Sequence, residues 1–180
     1  MIDDIQKELS EFRRNIQDEV ALNAAENQTN DMEEFLTVVT DQLIAAEEID
    51  DFIYVPYEGI NARKRKLQID GYYYNELDEC LCLFIGIPLS YEDDEPLGTA
   101  EAKKWISRAT GFLENTEYVL MHAEESAPGF GLAYDIVNRF SKVQSYKIYL
   151  ITDKVANFLL LFITSIEIIM FGVKAPLRTH

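Results

Sequence analysis

Apolar residues recur at steps of three and four through the first 26 positions. Ile5, Leu9, Phe12, Ile16 and Val20 form one stripe, which predicts an amphipathic helix over 2–26. "NQTND" (27–31) breaks the stripe and offers capping side chains for a second helix over 31–49. That helix carries Met32, Phe35, Leu36, Val39, Leu43 and Ala46 on one face. The period then changes. "DDFIYVPY" (50–57) reads as a strand ended by Pro56, and "EGINARKRK" (58–66) as a loop. "KLQIDGYYY" (66–74) is a second strand, with Leu67, Ile69 and Tyr73 expected on one face. After the turn "NELDE" (75–79), "CLCLFIGI" (80–87) is nearly all apolar, as a strand buried on both faces should be.

The second half alternates loops and helices. "PLSYEDDEPLG" (88–98) is a loop by its Pro, Gly and acidic content. Thr99 can cap a helix over 100–116, with Ala102, Trp105, Ile106, Ala109, Phe112 and Leu113 inward. A shorter helical piece follows at 117–123. "SAPGFG" interrupts, and Leu132, Ala133, Ile136, Val137 and Phe140 mark another helix before the strand "YKIYLIT" (146–152). The fold class is α/β in its α+β form: a mixed sheet in the order α-α-β-β-β-α-α-β, with helices packed on it. One α/β domain is expected over 1–154.

The rest, 155–180, opens with "VANFLLLFITSIEIIMFGV" (155–173), 19 residues of which only Glu167 is charged. At ~1.5 Å per residue this could just cross a bilayer, but an interior charge opposes insertion. Three readings stay open: a buried helix or strand pair, a membrane anchor, or the truncated or non-native end of a longer protein.

The 180 residues suit one domain, and 48% apolar against 27% charged residues allows a sizeable core. A net charge of −16 repels phosphate backbones and disfavours general nucleic-acid binding. Cys80 and Cys82 are read as two reduced thiols in a cytoplasmic core, because an i, i+2 pair on a strand is poorly placed to bridge. The N-terminus is charged from residue 3, so no signal peptide is expected. The loop "YEDDEP" (91–96) lacks the spacing of a calcium loop, and His122 has no triad partner.

Two features carry candidate chemistry. Asp70 ends the run "QID", and Glu47 and Glu48 close the second helix. The α-β-β-β-α-β core order resembles that of the PD-(D/E)xK, restriction-endonuclease-like nucleases. In those, an Asp on the second strand, an acid and a Lys on the third, and sometimes a helical Glu converge on Mg²⁺. Asp70 fits the first position, and Glu47 or Glu48 the helical one. The third-strand position reads Phe84-Ile85-Gly86-Ile87-Pro88, with no acid or Lys. No catalytic set is therefore expected, Asp70, Glu47 and Glu48 are vestigial candidates, and Asp70 is read as an acid capping a hairpin beside Gly71. No metal or other cofactor is expected, Mg²⁺ entering only if the chain is an active nuclease. The second feature is the basic run Arg63, Lys64, Arg65 and Lys66, a candidate contact for nucleic acid or a protein partner, or else a solubilising guard on a sheet edge.

"IDDFIYVPYEGINARKRKLQIDGYYYNELDECLCLFIGIPLS" (49–90) and "KIYLITD" (147–153) resemble the N-terminal part of the abortive infection phage-resistance (AIPR) proteins. The resemblance covers about residues 30–154. It implies a bacterial, cytoplasmic phage-defence protein whose N-terminal domain has a restriction-endonuclease-like fold, and family members several times longer. The function expected is recognition or interaction within that defence. An active Mg²⁺-dependent nuclease and a membrane-attached protein are the alternatives.

Overall fold

The computed structural model describes residues 2–91, 95–140, 142–154 and 166–170. Two helices lead, α1 (Ile2–Asn27) and α2 (Asp31–Ala45). Three strands follow, β1 (Ile53–Ile60), β2 (Lys66–Asn75) and β3 (Cys80–Gly86). Then come α3 (Thr99–Glu114), α4 (Thr116–His122), α5 (Pro128–Asn138), β4 (Ser145–Thr152) and β5 (Ile166–Met170). The five strands lie in chain order across one mixed sheet. β1, β2 and β3 form an antiparallel meander, while β3, β4 and β5 are parallel.

Helices cover both faces. Leu81, Leu83 and Ile85 of β3 join Ile106, Phe112 and Leu132 from the α3–α5 side. Cys80, Cys82 and Phe84, one position out of phase, join Ile16, Val20, Phe35 and Val39 of α1 and α2. This is why all seven residues of β3 are buried and why its sequence shows no alternation. Both cysteines are buried.

The structure departs from the expected order in two places. The helical piece read at 117–123 forms as the separate helix α4, so three helices rather than the two of the expected order separate β3 from β4, and a fifth strand follows β4. α5 starts at Pro128, inside the stretch read as an interruption, because proline's fixed φ and missing N–H suit a first helical position. Gly129 in that turn packs against β1: a Cβ there would lie 2.5 Å from the Tyr57 side chain. β5 falls within the apolar run 155–173, whose other residues lie outside the described ones. Among the described residues, no helix is long and apolar enough to cross a membrane.

Pro56 does not end its strand. β1 continues to Ile60, because it is an edge strand and bulges there. Tyr54 pairs with Gly71 and Tyr57 with Ile69, so β1 spends one more residue than β2 across this interval. A proline without an N–H is tolerated at such a place. Opposite the bulge, the faces of β2 change phase. Leu67 and Ile69 share their cluster with Tyr72 and Tyr74, whereas Tyr73, expected beside them, packs into the other cluster. Gly71 stands at the switch, where a Cβ would lie 2.2 Å from the Phe52 ring and 2.8 Å from the Ile53 carbonyl.

Candidate functional site

Asp70 sits opposite the β1 bulge, and it is not a hairpin cap. It lies in the middle of a ten-residue strand, 5% exposed. Its Oδ2 accepts a hydrogen bond of 2.8 Å from the backbone N–H of Gly86 at the end of β3. Burial pushes its carboxyl up to about 6; the Gly86 N–H and the Gln68 side chain pull the other way, Glu58 raises it slightly and Arg108 lowers it.

The surroundings come from five segments. Gln68, two residues before Asp70 and also buried, accepts from Nη1 of Arg108 on α3 at 2.9 Å. The Arg108 guanidinium lies over the Trp105 ring, 4.1 Å from its centre. Asn30 caps α2, its Oδ1 accepting from the N–H of Glu33, and so sets the start of that helix at the rim. Asp31 follows, with its Oδ2 accepting from the hydroxyl of Tyr91 at 2.8 Å. Tyr54 of β1 completes the wall, its phenol pushed up mainly by burial. Apart from Arg108, which holds Gln68 and Trp105 from outside the lining, these side chains line a cleft of about 540 Å³ that also takes in Met32, Tyr57, Glu58 and Leu89.

The candidates named from the sequence do not converge. Glu47 and Glu48 lie beyond the far end of α2, which stops at Ala45 because Glu47 takes a positive φ of 56°. Asn30 and Asp31 mark the cleft end, so ~22 Å of helix separates the two glutamates from it. Arg63, Lys64 and Arg65 occupy the five-residue β1–β2 loop, and Lys66 opens β2 opposite Ile60. All four are exposed. Asn61 organises this loop: its Oδ1 accepts from the N–H groups of Arg63 and Arg65, and Lys64 takes a φ of 58°. His122 is exposed, stacked on Tyr118.

The donor set around Asp70 does not fit Mg²⁺. One of its oxygens is held by a backbone N–H, its strand neighbour is an amide, and three oxygen ligands are not gathered. Among the described residues, no three His, Cys, Asp or Glu side chains group to hold a metal ion. Of the cleft, the sequence reading found only Asp70. Gln68 was detectable as a polar residue at i−2 on the same strand; Trp105 and Arg108 become neighbours only when α3 folds over β2.

The raised Asp70 carboxyl has a measurable consequence. Its folded value lies above the ordinary 3.8, so the folded state holds the proton more tightly than the unfolded chain. Ionisation therefore costs stability: the penalty is absent below pH 4, grows between pH 4 and 6, and is complete above. A rise from 3.8 to about 6 corresponds to ~3 kcal/mol. Asp70→Asn is expected to raise the unfolding free energy at pH 7.5 by ~1–3 kcal/mol and to flatten its pH dependence between 4 and 7, as urea titrations would show. An unchanged pH profile would refute the assignment.

No curated protein and no solved structure matches the chain. A family model does: "Abortive infection phage resistance protein N-terminal domain" matches residues 35–172. The match starts inside α2, takes in the whole sheet and the cleft lining except Asn30, Asp31 and Met32, and runs past residue 154, where the resemblance read from the sequence stops. The chain belongs to the abortive infection phage-resistance family.

Proposed function

We propose that this domain is a recognition module of a phage-defence protein, acting in the bacterial cytoplasm on a restriction-endonuclease-like scaffold that has lost its cutting site. One observation carries the reading. The β3 segment beside Asp70, where such a nuclease places its second acid and its lysine, is Gly86-Ile87-Pro88, and the Gly86 N–H binds the Asp70 carboxylate. The glycine also serves packing: a Cβ at 86 would lie 2.4 Å from the Met32 sulfur, so α2 seats directly on this position. The scaffold assignment is supported by the run α2-β1-β2-β3-α3 and the later parallel strand β4. The basic loop 63–66 offers a second contact surface, projecting from the sheet edge in a protein of charge −16.

The test is cleavage. The domain, incubated with supercoiled plasmid or structured RNA in Mg²⁺ or Mn²⁺, is expected to leave both intact. Cleavage that Asp70→Ala abolishes would establish the nuclease instead. Replacing Arg63, Lys64, Arg65 and Lys66 by glutamine is expected to leave the Tm within about 2 °C, since exposed charges contribute little to stability. The same variant should bind its partner roughly tenfold or more weakly in a pull-down titration.

A further inference from the structure

We infer that the cleft over Asp70 receives an arginine guanidinium from a protein partner. This rests on the recognition reading and names the chemistry of what is recognised.

Three observations converge. First, carboxylates reach the cleft from three separate elements: Asp31 from the start of α2, Glu58 from β1 and Asp70 from β2, while no Lys or Arg is among its described lining residues. Second, rings stand around them. Tyr54, Tyr57, Tyr91 and Trp105 all line the same space. Carboxylates among aromatic faces select cations, since the ring faces carry negative charge and the apolar walls strengthen the attraction. Third, the domain already seats one guanidinium at this rim: Arg108 lies 4.1 Å over Trp105 and donates to Gln68 at 2.9 Å. The rim geometry therefore suits a planar cation.

Charge decides against nucleotides. A cleft lined by three carboxylates in a protein of net charge −16 repels a phosphate and draws in a cation. The space, about 540 Å³, exceeds one side chain, so flanking peptide backbone enters with it.

The chain holds a single tryptophan, and it is Trp105, so its fluorescence reports on the cleft alone. Four probes are titrated: the capped peptide Gly-Gly-Arg-Gly-Gly, its citrulline counterpart, spermidine and a uridine octanucleotide. The arginine peptide is expected to give a saturable change, with citrulline at least tenfold weaker. Glu58→Gln/Asp70→Asn should weaken the arginine peptide at least tenfold. Glu47→Gln/Glu76→Gln removes the same charge from exposed positions outside the cleft and should leave binding unchanged. If Glu58→Gln/Asp70→Asn does not fold, the exposed Glu58→Gln alone carries the comparison. Equal affinity for citrulline, equal weakening by both double variants, or no response to the peptide overturns the inference. So does a response confined to spermidine or to the octanucleotide. The cleavage assay is independent of these titrations, so failure here leaves the loss of the cutting site standing.

Discussion

Arg13→Met is expected to destabilise the domain by ~3 kcal/mol, read as a lower urea midpoint at unchanged slope. Arg13 is the clamp between the first helix and the first residue after β4. Its Nε donates to Asp153 Oδ2 at 3.0 Å, and Nη2 donates to the Ser90 carbonyl at 2.6 Å. Gln17, one turn on, donates to the same carboxylate at 2.7 Å. The Asp153 side chain is 1% exposed, and its Oδ1 has no hydrogen-bond partner among the described residues. Removing the guanidinium therefore leaves a buried carboxylate with a single amide donor. A charge so stranded costs more than the pair contributes when intact. The double variant Arg13→Met/Asp153→Leu should accordingly recover much of the loss. If the double is no better than the single, the clamp works by packing and the electrostatic account fails.

Phe84→Ala is expected to cost ~4 kcal/mol and to lower the Tm by about 10 °C in a thermal melt. Phe84 is fully buried at the centre of β3. Its ring stacks on Tyr149 of β4, centres 4.8 Å apart and planes 10° apart. Phe52 meets its other side edge-on at 5.1 Å. Truncation empties a site walled by a strand and helices that cannot collapse into it, so the cavity adds to the lost burial. Phe84→Leu should cost less than half as much. Equal costs would mean that the loss comes from the ring contacts and not from the emptied volume.

Wherever local pattern decides structure, the sequence was a good guide. The stripes of α1 and α2, the apolar run of β3 and "KIYLIT" of β4 each form the predicted element. The reading failed where one residue type has two uses. Pro56 reads as a strand end but sits in an edge bulge; Pro128 reads as a breaker but starts a helix. The run 155–173 has no alternation, so β5 within it could not be told from a helix by period. At the cleft, Asp70 was visible because an acid stands out among Leu67, Ile69 and Gly71. Its environment was not, because Asn30, Tyr91 and Trp105 come from segments far apart in the chain. Glu47 and Glu48 were attractive for lying on α2, but they lie at its wrong end.

The central strand has a consequence for how the chain folds during synthesis. β3 can be covered on its open edge only by β4, whose Ser145 pairs with Cys80. At ~5–20 residues per second, β3 leaves the ribosome several seconds before its partner exists. α1 waits longer still: the carboxylate that Arg13 grips lies 140 residues downstream. The β1–β2–β3 meander can form early from neighbouring segments, but it leaves the edge of the seven-residue apolar β3 that β4 will pair with open. Closure of β4 onto β3 is then the slow, long-range step. A nascent chain halted before residue 145 would display an uncovered strand, a target for chaperones and for misassembly with its own copies.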